Sequence, residues 1–187
     1  MVGTSQEQLD KASQSVPGFL GAFAADELPT LPKKPFSLIV NYSRSDSPTG
    51  GTHWVAMKFP MRGDAMYFDS YGKPPDNFDD LLHTATGFAA YMRKHSATGE
   101  YIYSNLDLQC YGPSDVCGEW STAFIHIGEL PSVSTNNPEW LKIMQGTAGA
   151  GIGDGEQDRV GSACSARDSA VFKMVGIRKD RARGFPL

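Results

Sequence analysis

The sequence predicts an α+β domain, and three observations carry that expectation. Apolar, strand-like runs crowd between Phe36 and Asp69, helical periodicities follow Phe78 and Cys117, and clusters of Gly, Pro, Asn and Asp separate them. Strands grouped in one part of a chain and helices in another segregate into a sheet with helices laid against it. At 187 residues and 40% hydrophobic content the chain can build one sizeable core, so residues 1–187 are expected to form a single domain.

The elements follow in order. Gln6 to Ala12 reads as a short helix. Val16 to Pro35 carries Phe19, Leu20, Phe23 and Leu28 and then Pro29, Pro32 and Pro35. That proline density argues against a regular interior strand and for an irregular arm packed by its aromatics. Phe36 to Tyr42 (FSLIVNY) is a β-branched apolar run and reads as a buried strand, with a surface loop up to Gly51. Thr52 to Phe59 (THWVAMKF) and Ala65 to Asp69 (AMYFD) read as two strands joined by a Pro60–Gly63 turn, hence a hairpin. His53 stands at the entrance of the first and Asp69 at the end of the second, so both fall at one end of that hairpin.

Ser70 to Pro75 is a turn, and Asp76 or Asn77 is placed to cap the helix after it. From Phe78 the set Leu81, Leu82, Ala85, Phe88, Ala89 and Met92 follows helical spacing and ends on Arg93, Lys94 and His95, cations suited to a helix C-terminus. Glu100 to Ser104 is a further short strand. Beyond Pro131, Pro138 to Gln145 reads as a short helix with proline in its first turn, and Gly146 to Gly155 as a loop. Its glycines neither follow a strand nor precede the GK[ST] that a phosphate cradle needs. Asp158 to Met174 is expected to form a last helix.

Composition excludes several classes of protein. A net charge of −4 and a pI near 5.5 argue against a surface that is mainly a nucleic-acid footprint. The basic run Arg178 to Arg183 reads as a solvated tail. Three cysteines do not make a disulfide framework and suit a reducing compartment. No apolar run approaches the roughly 20 residues of a spanning helix, and no basic start followed by an apolar stretch marks a secretory signal.

Chemistry concentrates in Gln109 to Ile127, QCYGPSDVCGEWSTAFIHI. A turn-rich approach ends in Cys117-Gly118, after which Trp120, Ala123, Phe124 and Ile127 recur at helical spacing. A cysteine on a first helical turn meets amide N–H groups without intrahelical partners and the positive end of the macrodipole, which favours a thiolate. Gly118 leaves room for a substrate to approach the backbone. Cys117 is thus the candidate nucleophile.

A nucleophilic cysteine needs a base, a group that orients the base, and donors for the oxyanion. The chain offers His53 as base, Asp69 as orienter, and the Gln109 amide with the Cys117 N–H as donors. Singly these residues are commonplace: a histidine at a strand start is often structural, an aspartate beside a turn often forms it, and a glutamine is often a surface amide. Their joint placement is what points to catalysis. Cys110 and Cys164 read as small buried hydrophobes. Zinc is the competing use of Cys110, Cys117, His126 and His53, but no C-x₂-C or H-x₃-H pair occurs, and no metal or other cofactor is expected.

The order THW (Thr52–Trp54), FDSYG (Phe68–Gly72), then Gln109 approaching S-x-x-C-G (Ser114, Cys117, Gly118) resembles the adenovirus-type cysteine proteases, the adenain-like members of the SUMO-protease-like clan also found in virophages and polinton-like elements. The resemblance runs from about Phe19 to Ile127 and includes the arm GFLGAFAADELP. It implies a papain-like, adenain-like α+β fold in which a central mixed sheet bearing His and Asp packs against a helix bearing Cys. It assigns His53, Asp69, Gln109 and Cys117 to catalysis, with Trp54 shielding the imidazole and Gly118 facing substrate. The implied activity is a viral-type endopeptidase that cleaves structural or capsid precursors in the virion and infected-cell interior. A de-ubiquitinating or SUMO-removing isopeptidase and a catalytically silent interaction module of the same fold are the alternatives. Such enzymes can take an activating peptide and DNA, and the acidic pI here argues against DNA. The second cysteine common shortly after CG is absent, Ser121 standing near its place, and past Ile127 the likeness ends.

Overall fold

The structure, a computed structural model, describes residues 4–48, 51–76, 87–109, 116–145, 167–171 and 173–175. In chain order these form α1 (Gln6–Ser13), β1 (Phe19–Phe23), β2 (Phe36–Asn41), β3 (Trp54–Phe59), β4 (Ala65–Phe68), α2 (Phe88–His95), β5 (Tyr101–Tyr103), α3 (Cys117–Ile127) and α4 (Pro138–Gln145). Residues 167–171 and 173–175 are also helical. The expected glycine loop at Gly146–Gly155, the basic run at Arg178–Arg183, Cys110, Cys164 and the first turns of the helix expected from Phe78 lie outside the described residues.

The fold is α+β, with five strands in the order β1-β2-β3-β4-β5. The three central strands are antiparallel, while β1 joins β2 and β5 joins β4 in parallel, so the sheet is mixed. The β2–β3 ladder runs unbroken from Phe36↔Phe59 to Asn41↔Trp54. One element departs from expectation: Phe19–Phe23, expected as part of an irregular arm, is an edge strand, with one shift of register between Phe19 and Ala22. The prolines at 29, 32 and 35 all lie beyond it, and a parallel edge strand needs only one partner. Its outer side is engaged by α1, whose Asp10 Oδ1 accepts the Ala22 N–H at 2.6 Å and whose Gln6 Nε2 donates to the Ala22 carbonyl at 2.6 Å.

Alternation along the strands sends residues to two cores. The row Ala22–Ile39–Ala56–Phe68 crosses the sheet in register and faces α3, where Trp120, Ala123 and Phe124, with Trp140 of α4, complete the cluster. Phe68 stacks on Phe124 with centroids 5.2 Å apart. The neighbouring row Leu38–Met57–Tyr67 faces the other way, with Phe36, Val40, Val55 and Phe59, against Phe88 and Met92 of α2. α2 is capped at long range: both carboxylate oxygens of Asp76 accept N–H groups, from Phe88 and Ala89, at 3.0 Å each. Among the described residues no helix is long and apolar enough to cross a membrane.

α3 is the central helix. Gly118 through Ile125 are all buried, as expected of a helix apolar nearly all round. Two of its polar members bond to carbonyls: Thr122 donates to that of Gly118 at 2.9 Å and Ser121 to that of Trp54 at 3.1 Å. The helix ends at Gly128, in the left-handed region with φ 81°, where Lys58 Nζ donates to the carbonyl at 2.7 Å. A cation there complements the negative end of the macrodipole.

Candidate active site

The end of the β3–β4 hairpin brings His53 and Asp69 together, His53 Nε2 lying 2.9 Å from Asp69 Oδ1 with both residues buried. The register refines how they meet. Ala56 pairs with Phe68, so continuing the ladder sets Val55 opposite Asp69 and His53 opposite Tyr71. His53 and Asp69 are therefore diagonal neighbours on one face. The residue opposite, Tyr71, stacks on the imidazole with centroids 5.0 Å apart and an interplanar angle of 26°.

Asp69 is 1% exposed and fully engaged. Oδ1 also accepts the Tyr71 N–H at 2.8 Å, and Oδ2 accepts the Tyr42 hydroxyl at 3.0 Å. The Tyr42 oxygen in turn lies 2.9 Å from that of Tyr67. Since Tyr42 gives its proton to Asp69, Tyr67 is the donor in that pair. Burial, followed by the neighbouring Tyr42 and Asp69, raises the Tyr67 pKa well above the ordinary tyrosine value, keeping its hydroxyl protonated.

Cys117 opens α3, ahead of the first α-helical bond, in which Trp120 N–H reaches the Val116 carbonyl at 3.0 Å. Its sulfur accepts the Trp54 N–H at 3.4 Å, and Cys117 lies near enough to His53 to add to the pull that raises the imidazole pKa. With Nε2 held by Asp69, Nδ1 is the ring nitrogen left for the thiol. Burial alone would lower the His53 pKa. The Asp69 charge and hydrogen bond outweigh it, aided by Cys117, and the imidazole pKa is pushed up to about 10. The imidazolium is thus the resting form at neutral pH.

Gln109 is buried beside the hairpin end. Its Oε1 accepts the Ser70 hydroxyl at 2.7 Å and its Nε2 donates to the Tyr71 hydroxyl at 3.1 Å. The Leu108 and Gln109 N–H groups both reach the Ser70 carbonyl, at 2.8 and 3.0 Å. Gly72 makes this crossing possible: it has φ 69°, and a Cβ there would meet the backbone of Asn105 and Leu106 at 2.8 Å. FDSYG therefore supplies four neighbouring structural parts, namely Asp69, Ser70, Tyr71 and Gly72.

Two expected placements are corrected. The rings against His53 belong to Tyr71 and to Tyr42, edge-on at 5.2 Å, whereas the Trp54 indole is tied by Nε1 to the Thr4 carbonyl at 2.9 Å and packs with the α3 cluster. Strand alternation explains it, since Trp54 and His53 are consecutive and point to opposite faces. Gly118 does not open toward substrate. A Cβ there would meet Thr4 Cβ at 2.9 Å and Leu9 Cδ2 at 3.0 Å, so the missing side chain lets the N-terminal segment and α1 lie against α3. Tyr42, Tyr67, Ser70 and Tyr71 went unassigned in the sequence. The signal for Tyr71 was available in the hairpin register, and for Ser70 in its place next to Asp69.

Of the zinc alternative's residues, His126 turns away to the Ala12 carbonyl at 2.9 Å. Among the described residues no cluster of three or more His, Cys, Asp or Glu side chains could hold a metal ion. A hydrogen-bonded thiol, imidazole and carboxylate with a buried amide nearby can carry out acyl transfer. No family model matches the sequence, and no match was found among curated proteins.

Proposed function

We propose that this chain is a cysteine endopeptidase of the adenain-like kind, with a papain-like pairing of helix-borne thiol and sheet-borne imidazole, acting on structural or capsid precursor proteins during virion maturation. One observation carries the chemistry: the buried His53 imidazole is held by Asp69 at 2.9 Å, and the next residue, Trp54, gives its N–H to the sulfur of Cys117 on the first turn of α3 at 3.4 Å. The viral substrate class rests on the resemblance of THW, FDSYG and Gln109…Ser114-x-x-Cys117-Gly118.

The steps follow from the groups present. With the Cys117 proton already held on His53 as imidazolium, the thiolate attacks the scissile carbonyl carbon. The resulting oxyanion is held by the Gln109 amide and the Cys117 N–H, donors aimed where negative charge develops. The imidazolium returns its proton to the leaving amine as the C–N bond breaks. His53 then deprotonates a water molecule, which attacks the thioester, releasing the acid and restoring the thiolate–imidazolium pair. Asp69 keeps the ring in its tautomer throughout.

The test compares parent, Cys117→Ala and His53→Ala on Gly-containing viral-scaffold peptides and on ubiquitin- and SUMO-type conjugates, with and without a basic activating peptide or DNA. Mass spectrometry maps the rate of alkylation at each cysteine. Cleavage of the scaffold peptides that both substitutions abolish, with Cys117 alkylated faster than Cys164 at neutral pH, is the expected result. Cleavage of the conjugates alone makes the chain an isopeptidase. Cleavage undiminished in Cys117→Ala sinks the mechanism, and a folded parent inert on every substrate is the silent module.

A further inference from the structure

We infer that Ser121 is a positioning residue for the nucleophile: it holds the Trp54 peptide so that the Trp54 N–H stays aimed at the sulfur of Cys117. The inference rests on the cysteine-peptidase reading, in which that sulfur must carry negative charge. A hydrogen bond given to an anion favours the charged form, so a backbone N–H fixed on the sulfur helps to keep the thiolate.

The ladder shows why the Trp54 peptide is available. The Tyr42 N–H reaches the His53 carbonyl at 3.0 Å, which marks this position, one step beyond the Asn41↔Trp54 pair, as hydrogen-bonded. Such positions alternate with non-bonded ones in an antiparallel ladder. Trp54 therefore turns its N–H and C=O away from β2, to the side where β4 runs. On that side the pairing stops at Ala56↔Phe68, and the Ser70 carbonyl that the ladder would set against Trp54 accepts the Leu108 and Gln109 N–H groups. Both Trp54 groups are taken by α3 instead: the N–H goes to Cys117 Sγ at 3.4 Å, and the C=O accepts the Ser121 hydroxyl at 3.1 Å. Cys117 and Ser121 are four residues apart, neighbours on one face of the helix. One turn of α3 thus grips a single residue by both its backbone groups.

The neighbouring hydroxyl supplies the contrast. A serine or threonine inside a helix can return its proton to the carbonyl four residues back, and Thr122 does so with Gly118 at 2.9 Å. The equivalent carbonyl for Ser121 is that of Cys117, yet its one hydroxyl proton goes across to β3. Ser121 is 0% exposed, so no solvent competes for this bond. The Trp54 indole is tied separately, to the Thr4 carbonyl at 2.9 Å, so loss of the hydroxyl frees the peptide without releasing the ring.

The test is the pH profile of Cys117 alkylation by iodoacetamide, mapped by mass spectrometry, in the parent and Ser121→Ala. Thr122→Ala is the control, since it loses a hydroxyl bonded within the helix. The His53–Asp69 pair beside the thiol stays in place in both variants. In Ser121→Ala the rate on the acid limb should fall by about three- to tenfold, the factor that accompanies a hydrogen bond of ordinary net strength. It should converge on the parent along the plateau, where the thiolate is fully formed in both. On the scaffold peptides kcat/KM should follow the same pattern. An unmoved acid limb, an equal fall at every pH, or the same displacement in Thr122→Ala overturns the inference. A readout free of catalysis separates its failure from that of the peptidase reading. In ¹⁵N-labelled protein the Trp54 backbone amide should exchange its hydrogen slowly, and Ser121→Ala should speed that exchange whether or not any peptide is cleaved. Unchanged exchange overturns the positioning role by itself.

Discussion

The two faces of the sheet are built on opposite plans. Toward α3 the central row is Ala22–Ile39–Ala56–Phe68, two of its four members alanines, and the bulk comes from the helices as Trp120, Phe124 and Trp140. Toward α2 the bulk is on the strands, in Phe36, Leu38, Met57, Phe59 and Tyr67, and the helix adds Phe88 and Met92. Small residues let backbones approach, so α3 can seat Cys117 against the N–H of Trp54 at 3.4 Å. His53, Asp69, Tyr42 and Tyr67 belong to the other face, where Tyr42 also meets Phe88 at 5.7 Å. The thiol comes from one face and its base from the other. β3 lies between them, its Trp54 N–H reaching the sulfur while His53, the residue before, turns to the α2 face and Asp69.

The sharpest way to break this comparison is to cut the charge that the α2 face sends to the thiol. His53 has its pKa raised, so its pairing is fully present below about 6.5, its ordinary value, and is lost as pH rises through about 10. The parent should therefore keep activity up to an alkaline limb near pH 10. Asp69→Asn should bring that limb toward neutrality and cost about thirtyfold or more in kcat/KM at pH 8, simply from the lost imidazolium fraction around a pKa of about 6.5. Urea unfolding gives the matching linkage: the parent loses stability between those pH values and the variant loses less. A limb unmoved by the substitution would mean that the two faces are not coupled.

Adjacent residues on β3 provide the next contrast. Ala56→Leu wedges the α3 face apart and should cost about 1–3 kcal/mol by overpacking. It should also cost about tenfold in kcat/KM, since misplacing reactive groups by a fraction of an ångström is expensive. Met57→Leu, one residue along and facing α2, is a near volume-conserving change that should cost under about 1.5 kcal/mol and leave activity within about twofold. Equal activity losses from the two would erase the distinction. Gly118→Ala comes third, at about 1–3 kcal/mol in thermal unfolding, because the added methyl meets Thr4 and Leu9. Smallest is Lys58→Met, which removes a cation from the C-terminus of α3 and should cost about 0.3–1 kcal/mol by chemical denaturation.

Much of this arrangement was legible in the sequence because it rests on local periodicity. The alternation in THWVAMKF and AMYFD marked β3 and β4, and the helical spacing after Cys117 marked α3, with bounds within two residues of those observed. His53 and Asp69 fell to the same hairpin end for the same reason. What was not legible depends on contacts across the fold. β1 was hidden by prolines that follow it, and nothing local reports a parallel partner 18 residues on, as Phe19 finds in Ser37. The inward role of Gly118 depends on Thr4 and Leu9, and the tie between Ser70 and Gln109 spans 39 positions. A glycine or a serine looks the same in sequence whether its neighbour is solvent, substrate or a distant chain segment.

The hold of α1 on Ala22 has a consequence for self-association. A strand at a sheet rim ordinarily offers unpaired ladder positions to a second molecule. On β1 the N–H and C=O of Ala22, at mid-strand, are already taken by Asp10 and Gln6 at 2.6 Å each. Another copy adding there would have to lift α1, and with it Thr4 from the Trp54 indole. Pairing through this rim would therefore compete with the contacts that hold the N-terminal segment against Trp54 and Gly118.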